Sequence, residues 1–504
     1  MLMNSVIKKT MQISEIARPK WGLVGVFGLA ALQLVGCTLG PDHHKPESPV
    51  VTSFTRQPAN PSGTEVLQEI PKDWWKAYGS RRINALVAQA LSRNPNIDAG
   101  IANLKVAQEL VNAQRGLFYP SLQAGYSAAR QNSGSVLQSP LNSQSTLFNL
   151  HTAQLNVGFV PDVFGGNRRA VESLQATASS QQYQLEAYKI TLASNVVAAA
   201  IQERLLAEQI EIAQSAIQLS AEQLQQLKGL NAAGYSSGLD LAQQQVAYAQ
   251  TAALLPPLQK QIEQTRNLLA VLCGQLPSQS LPGDALDEIH VPAQLPTIIP
   301  SSLVERRPDV QAAEEQLHAS NAQIGVATAN MLPQISLSAS LLYSSNVLAG
   351  LLSDGNKSWG LLGGLTQPLF AGGALIARKR AAEAAAEASR AQYQNVVLTA
   401  FQNVADTLYA LETDGRSLAA IRNAEEANRQ LAVHTKRQLD AGYSSRLVFL
   451  AAQQSFLQSR LASVASHATY LGDTVSLYQA LGGGWRNIDT SVGVIGQSDT
   501  RPSN

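Results

Sequence analysis

The chain has 504 residues and a formal net charge of +1, from 37 basic and 36 acidic side chains. Charged residues make up 14% of the sequence and aromatic residues 6%, so both are sparse. A near-neutral chain without a basic stripe argues against a nucleic acid as the partner. The abundance of Ala, Gln, Ser and Leu favours long, closely packed helices over a thick mixed core.

Residues 1–36 have the pattern of a lipoprotein signal peptide. Basic residues precede the apolar run from Trp21 to Val35, which has the length of a signal h-region and is short for a membrane span. The run ends in Leu34-Val35-Gly36-Cys37, which resembles a bacterial lipobox, where cleavage precedes an acylated cysteine. The alternative is an ordinary signal site with an incidental cysteine.

A covalent lipid on Cys37 is the only non-protein group that the sequence predicts. Thr38 follows, where an inner-membrane lipoprotein would carry Asp, so the resemblance to sorted lipoproteins implies the outer membrane. The acyl chains of a modified Cys37 would hold the chain to outer-membrane lipid. The other cysteine, Cys273, lies in an apolar helical pattern and is predicted to be a buried, inert thiol.

Residues 37–80 are predicted to form a lipid-anchored tether and arm. Residues 38–72 are rich in Pro, Ser and Thr, a composition typical of an extended tether. His43 and His44 lie there, but no cysteine or well-placed carboxylate accompanies them, so no metal site is predicted. Trp74-Trp75 could form a ligand platform, but anchoring the arm to the body is the favoured interpretation.

The rest of the chain is duplicated. Pro95 and Pro120 are 25 residues apart, as are Pro308 and Pro333, and the two pairs are offset by 213. A repeat of this length is too long for a solenoid unit and indicates a duplicated half-protein. The first copy is assigned to residues 81–274 and the second to 306–485, with a Pro-rich linker at 275–305 and a disordered tail at 486–504.

Each copy is predicted to contain two strands with period-two alternation. The strands are expected at roughly 119–131, 146–161, 333–345 and 357–370, with one apolar face and one small or polar face. Such alternation fits a half-buried soluble sheet, and it also fits a transmembrane barrel with lipid outside and water inside. Strands of about 12 residues favour the barrel, because ordinary strands average about half that length.

Long helices follow the strands. Gly166 to Ala233 and Gly373 to Ala441 contain no proline, and helices of that length would extend roughly 100 Å. The second carries a coiled-coil seam beginning at Val397 and Phe401. Glycine-rich tips at 234–238 and 442–446 reverse the chain into return helices, and Pro256-Pro257 should kink only the first of these.

Four strands cannot close a membrane sheet alone, because an open sheet leaves unpaired backbone groups in hydrocarbon. Two, three or four chains would supply eight, twelve or sixteen strands. A barrel of eight strands is filled by side chains, whereas about twelve or more leave a lumen. The helical hairpins would then form a second, hollow assembly of helices.

Several motifs together resemble the outer membrane factor family of TolC-like efflux channels, in its NodT-type or OprM-like lipoprotein branch. They are the lipobox at Cys37, the segment 74–78, the segment 303–309, the junction at Phe370 and Gly372-Gly373, and the segment 480–485. The resemblance implies a mainly α protomer in a homotrimer, with a twelve-stranded β-barrel continuous with a helical tunnel. It also implies a periplasmic adaptor protein and an inner-membrane pump of the RND type as partners.

The function that this resemblance implies is an outer-membrane exit duct for small molecules such as antibiotics. The alternatives are the duct of a type I protein secretion system and a non-conducting lipoprotein scaffold. No catalysis is predicted, because no His pairs with a Cys or carboxylate at ligand or triad spacing. Gly482-Gly483-Gly484 lacks the Lys-Ser/Thr that a phosphate loop requires.

Gate residues are inferred at the tips by resemblance. In the family, the return helix after the second tip carries carboxylates and an apolar residue that narrow the periplasmic mouth. Alignment on Ala452-Gln453 puts Leu447 at the apolar constriction, with Val448 and Ala451 where relatives carry acids. We therefore expect a Leu447 ring to close the mouth, with Asp240 and Arg446 as tip-to-tip pairs; the alternative is that Leu447 is coiled-coil core.

The small residues of the tips are expected to contact the adaptor, because small side chains let a partner helix approach closely. These residues are Gly234, Ser236, Gly238, Gly442 and Ser444.

Overall fold

The computed structural model describes residues 38–46, 70–132, 147–279, 281, 289–292 and 304–485. The predicted signal peptide, Cys37, the tail 486–504 and most of the linker 275–305 lie outside these described residues. The chain divides into two compact units. The first contains residues up to 41 together with 114–171 and 323–380, and the second contains 42–113, 172–322 and the residues from 381 onward.

The helices confirm the predicted proline-free segments. A short 3₁₀ helix spans Trp74–Tyr78, and each of the two longest α-helices has 67 residues. The α-helices are α1 (Arg81–Arg93), α2 (Pro95–Gly116), α3 (Gly166–Ala232), α4 (Gly238–Ala252), α5 (Leu255–Leu272), α6 (Pro308–Ala329), α7 (Ala374–Asp440) and α8 (Arg446–Ala480). None of the helices in the described ranges is both long and apolar enough to cross a membrane.

The two return helices differ at the position of Pro256-Pro257. In the first copy, the regular helix is interrupted at Ala253 and Leu254, immediately before Leu255 and the two prolines, although both residues keep right-handed helical dihedral angles. Proline lacks the amide hydrogen that a helix interior needs, and its ring displaces the preceding turn. The equivalent helix of the second copy, α8, has no proline and continues for 35 residues without interruption.

The first unit contains an antiparallel four-stranded sheet in the order β1-β2-β3-β4. Its strands are β1 (Ser121–Asn132), β2 (Leu147–Phe159), β3 (Gln334–Ser345) and β4 (Lys357–Thr366). Because β2 pairs with β3, the strands of the two copies form one sheet. The predicted strand ends need correction: β2 stops before Pro161 and β4 before Pro368, since proline cannot donate a ladder hydrogen bond.

The register of the sheet separates apolar from polar side chains. Residues directly opposite each other share a face, and one face carries the rows Leu122–Val157–Ala339–Leu361 and Ala124–Leu155–Leu341–Trp359. The row between them, Gln123–Asn156–Ser340–Gly360, points to the other face. The predicted alternation is therefore confirmed in these rows, although the second face also carries Leu342 of β3 and Leu362 of β4.

The second unit is built on the predicted helical seam. Val397 and Val404 of α7 are buried, and Phe401, Leu408 and Leu411 pack against the same core. A buried acid lies within this unit. Glu203 of α3, whose side chain is 2% exposed, accepts hydrogen bonds from Arg82 of α1 at 2.8 Å and from Arg266 of α5 at 3.0 Å. Two cations thus compensate the charge that burial would otherwise penalise.

The paired tryptophans anchor the arm in this unit. Trp74 is 2% exposed and stacks on Tyr478 of α8, with ring centroids 5.0 Å apart. Tyr78 is fully buried, and its hydroxyl lies 2.7 Å from Oγ1 of Thr474, a hydrogen bond that satisfies the group. Burial raises the pKa of Tyr78. The anchoring interpretation is thereby confirmed.

The prediction that residues 38–72 form an extended tether is wrong for its first part. The ring of His43 stacks on His318 of α6 with centroids 4.4 Å apart, and Lys45 forms an ion pair with Glu314 at 2.8 Å. Stacking and ion pairing between distant residues leave no periodic signal in a sequence, so composition alone suggested a free tether.

Two of the motifs that carried the resemblance contact each other. The guanidinium of Arg307 donates to the carbonyl oxygen of Ala480 at 2.9 Å and forms a two-bond ion pair with Asp309. Trp485 Nε1 donates to the carbonyl oxygen of Arg306 at 2.8 Å. The intervening glycines have positive φ, and a Cβ on Gly484 would lie 2.4 Å from the carbonyl oxygen of Pro71. These glycines therefore permit close packing.

Two acids meet in the seam between α7 and α8. Asp473 of α8 lies beside Asp414 of α7, and burial together with this neighbouring carboxyl raises the pKa of Asp473 to about 7. Its Oδ2 is buried without a further partner. Two adjacent carboxyls in a half-buried seam hold one proton between them, because two neighbouring negative charges in a partly buried place repel each other strongly.

We predict that Asp473→Asn makes the folded protein less sensitive to pH. Since the folded pKa of about 7 lies above the ordinary value of 3.8, the protonated pair stabilises the fold at low pH. That contribution is lost as pH rises from about 4 through 7. Thermal unfolding followed by circular dichroism should show the wild-type midpoint falling over this range and a flatter profile in the variant. If the unfolding midpoint of the variant depended on pH as strongly as that of the wild type, the shared proton would be refuted.

Candidate functional site

Two turns with the same geometry form the predicted tips. Gly234 and Gly442 both have φ of +78°, a left-handed conformation that ends α3 and α7 at little cost only for glycine. The amide of Tyr235 donates to the carbonyl oxygen of Leu230, and that of Tyr443 to Gln438, both at 2.8 Å. The same backbone bond therefore closes both helices, and the shared left-handed turn explains why glycine stands at both positions.

The predicted adaptor-contact residues line accessible turns. Gly234, Gly238 and Gly442 are exposed, and a Cβ at any of them would meet nothing within 4 Å. Ser236 and Ser444 are half-buried. Of these five residues, backbone conformation explains only Gly234 and Gly442. The small side chains of all five leave open space at the tips.

Two tyrosines at the tips were missed by the sequence analysis. Tyr235 is 83% exposed and Tyr443 is 88% exposed, although large aromatic side chains are usually buried. Their signal was present in the duplicated Gly-Tyr-Ser-Ser motif. Exposed aromatic side chains beside small residues are typical of surfaces that contact another protein.

The first tip is closed by a reciprocal cap. The hydroxyl oxygen of Ser237 accepts from the amide of Asp240 at 3.1 Å, and the carboxylate of Asp240 accepts from the amide of Ser237 at 3.0 Å. The Ser237 hydroxyl also donates to this carboxylate at 2.7 Å. These bonds hold the pKa of Asp240 below its usual value. Two orphan amides at the start of α4 are thus satisfied.

The second tip has only half of this cap. The Ser445 hydroxyl oxygen accepts from the amide of Val448 at 3.4 Å, a longer bond than its equivalent in the first tip. Val448 occupies the position of Asp240, and its apolar side chain cannot accept from the amide of Ser445. The absence of an acid at Val448, noticed in the sequence, therefore has a local structural effect.

The predicted pairing of Asp240 with Arg446 is not found within the chain. Asp240 is engaged by Ser237, and Arg446 lies 3.5 Å from Glu222 of α3. Leu447 is half-buried: it is less buried than a core residue and less exposed than its neighbour Val448. The Leu447 ring and pairing between different chains stay predictions.

No metal site is found within the described ranges: no three His, Cys, Asp or Glu side chains there are grouped to hold an ion. His43, one of the two histidines considered, stacks on His318 and lies within hydrogen-bond distance of Asn321. Cys273 is a buried free thiol whose pKa burial raises to about 11, so the thiol stays protonated at neutral pH.

Comparison with known proteins identifies the class. The model of the outer membrane efflux protein family matches residues 86–275 and 299–483, and the chain belongs to this family. The predicted family and fold class are thus confirmed. The chain is an outer-membrane channel protein of an efflux system, and its location is the outer membrane.

Individual relatives agree over nearly the whole length. The chain is 28% identical over 463 residues to the probable efflux pump outer membrane protein TtgC of Pseudomonas putida, covering 91% of this chain and 94% of that protein. It is 28% identical over 477 residues to the outer membrane protein OprJ of Pseudomonas aeruginosa, covering 93% and 97%. The solved structure of the outer-membrane channel OprN matches with a TM-score of 0.77 at 28% identity, covering 89% of this chain and 100% of that chain.

We predict that Val448→Asp completes the cap of the second tip. The new carboxylate would accept from the amide of Ser445, stabilising the start of α8 by about 1 kcal/mol. Amide hydrogen exchange at residues 442–448 should then slow by roughly fivefold. Ala451→Asp is the matched control, because it adds the same charge about one turn further along, out of reach of the cap. Equal slowing in both variants would contradict the capping explanation.

Proposed function

We propose that three copies of this chain form an exit duct through which small molecules such as antibiotics leave the periplasm. The observation that carries the proposal is the open sheet, in which β1 and β4 each leave one edge unpaired among the described strands. One face of that sheet is apolar, and it is exposed on the edge strands, with Leu122 at 65%, Trp359 at 73% and Leu365 at 69%. An apolar face and two free edges fit closure by further chains within a lipid bilayer.

The number of copies follows from the number of strands that a barrel with a lumen needs. Each chain supplies four strands, and an eight-stranded barrel has an interior filled by side chains. Three chains give twelve strands and leave a lumen. In such a barrel the row Gln123–Asn156–Ser340–Gly360 faces water, and small or polar side chains suit the passage of solutes. The homotrimer implied by the sequence resemblance is the smallest assembly that satisfies this condition.

The partners are a periplasmic adaptor protein at the tips and an inner-membrane pump of the RND type. The names of the relatives support efflux over protein secretion, since TtgC is named as a probable efflux pump protein. A lipid on Cys37 holds the arm of each copy to the membrane. A conducting channel needs no catalytic residue, and we assign none.

The periplasmic mouth is closed in this proposal by a ring of Leu447 side chains, one from each copy. Leu447 is the second residue of α8 and is half-buried in the single chain, so part of its surface is available to other copies. The incomplete cap beside it leaves the start of α8 less firmly held than the start of α4.

We predict that a charge is tolerated on only one face of β4. Leu361 lies in the apolar row and Leu362 in the row with Ser121, Gly158 and Ser338, and the two are similarly exposed, at 76% and 69%. Leu361→Lys should cost about 2–4 kcal/mol in the membrane. Native mass of the detergent-extracted outer-membrane protein should show trimers for wild type and Leu362→Lys and a loss of trimers for Leu361→Lys. A monomeric wild type would refute the duct, and equal tolerance of both lysines would refute the lipid-facing row.

We predict that Leu447→Gly opens the mouth. Removing the side chain should raise single-channel conductance in planar bilayers and increase antibiotic entry into cells. The matched control is Leu239→Gly, because Leu239 holds the same position after the first tip and is 68% exposed. Unchanged conductance for Leu447→Gly, or an equal rise in both variants, would remove the assignment of the gate to Leu447.

A further inference from the structure

Arm residues 38–40 lie against the start of α3 and the end of α6, within the first unit. The guanidinium of Arg169 in α3 donates from Nε to the carbonyl oxygen of Leu39 at 3.1 Å and from Nη2 to that of Gly40 at 3.4 Å. Arg169 is only 4% exposed. A buried cation that donates to backbone carbonyls recognises the path of the arm, whatever side chains the arm carries.

Three glycines let the arm approach closely. A Cβ on Gly325 of α6 would lie 2.6 Å from the carbonyl oxygen of Leu39, and a Cβ on Gly40 would lie 2.5 Å from Cα of Gly325. A Cβ on Gly165 would lie 3.0 Å from Cα of Thr38. Gly40 also has φ of +99°, which favours glycine. The helix and the arm are therefore in backbone contact, which side chains would prevent.

We propose that Gly165, Arg169 and Gly325 form an arm-binding site whose ligand is the chain's own N-terminal segment, and that this site positions the lipid on Cys37. The proposal rests on the lipidation proposed above. Thr38, the residue to which Cys37 is covalently joined, lies against Gly165, where a Cβ would be 3.0 Å from Cα of Thr38. The site therefore fixes the point of the arm from which the lipidated residue extends. Gly165 lies in the connection between β2 and α3, where the apolar rows of the sheet end.

The consequence is a fixed level of the lipid relative to the strands. A lipid on a loose tether would restrain the chain only to the membrane surface. A lipid held beside the end of β2 would also align the sheet with the leaflet before the copies pair. Arg169 is thus a positioning residue that acts through the arm.

The site is tested with Arg169→Ala, using Arg168→Ala as the matched control. Arg168 is the adjacent residue in the same unit, and its side chain pairs with Asp162 at 3.2 Å. Both variants are made in the natural chain and in a chain exported with a signal that leaves no lipid. Incorporation of labelled palmitate, hydrogen exchange of residues 38–46 and the yield of outer-membrane trimers are measured.

Arg169→Ala is expected to keep palmitate incorporation, to speed exchange of the arm on the order of tenfold, and to lower trimer yield severalfold in the lipidated chain alone. An equal loss of trimers in both backgrounds, or unchanged exchange of the arm, would overturn the positioning role. If Arg169→Ala fails to fold, Gly40→Val alters the arm itself and leaves α3 intact, and the same outcomes apply. Absence of palmitate in the natural chain would refute the lipidation, while the exchange experiment would still test the arm-binding site.

Discussion

The constraint on which the structure depends is the pairing of backbone groups at the two edges of the sheet. β1 and β4 present 12 and 10 residues to whatever lies beside them. In hydrocarbon each unpaired amide or carbonyl costs several kcal/mol. The apolar rows can therefore contact lipid only if the edges are paired by other copies. The duplicated chain supplies its share as one continuous block, because β2 of the first copy pairs with β3 of the second.

Duplication gave the chain two equivalent hairpins, and local substitutions then distinguished them. Pro256-Pro257 interrupts one return helix, and the other continues for 35 residues. Asp240 completes the cap of one tip, and Val448 leaves the other half-capped. Each difference changes a few hydrogen bonds, and neither alters the backbone turn that Gly234 and Gly442 share. The two copies can thus share the same hairpin fold while their tips differ in local stability.

Periodicity and the positions of proline carried most of the fold that could be predicted from the sequence. The long helices and the two faces of the sheet were correct, and strand ends shifted where Pro161 and Pro368 remove a donor. The capping role of Asp240 was also readable, since Ser237 stands three residues before it as in a capping box. The arm-binding site could not be predicted from the sequence. Its contact between the carbonyl of Leu39 and Gly325 joins residues 286 positions apart, and such a contact produces no recognisable spacing.

The unequal caps bear on how a closed mouth could open. The start of α4 is held by a reciprocal pair of bonds within four residues, so moving it breaks both. The start of α8 is held by one longer bond, and Arg446 gives it a further contact to Glu222 across the hairpin, with both side chains partly exposed to solvent. A solvent-exposed ion pair contributes little stability. Movement at the second tip therefore costs less free energy than at the first, and the second tip is the one that carries Leu447. Opening that begins there would displace the proposed ring while the first tip keeps its structure.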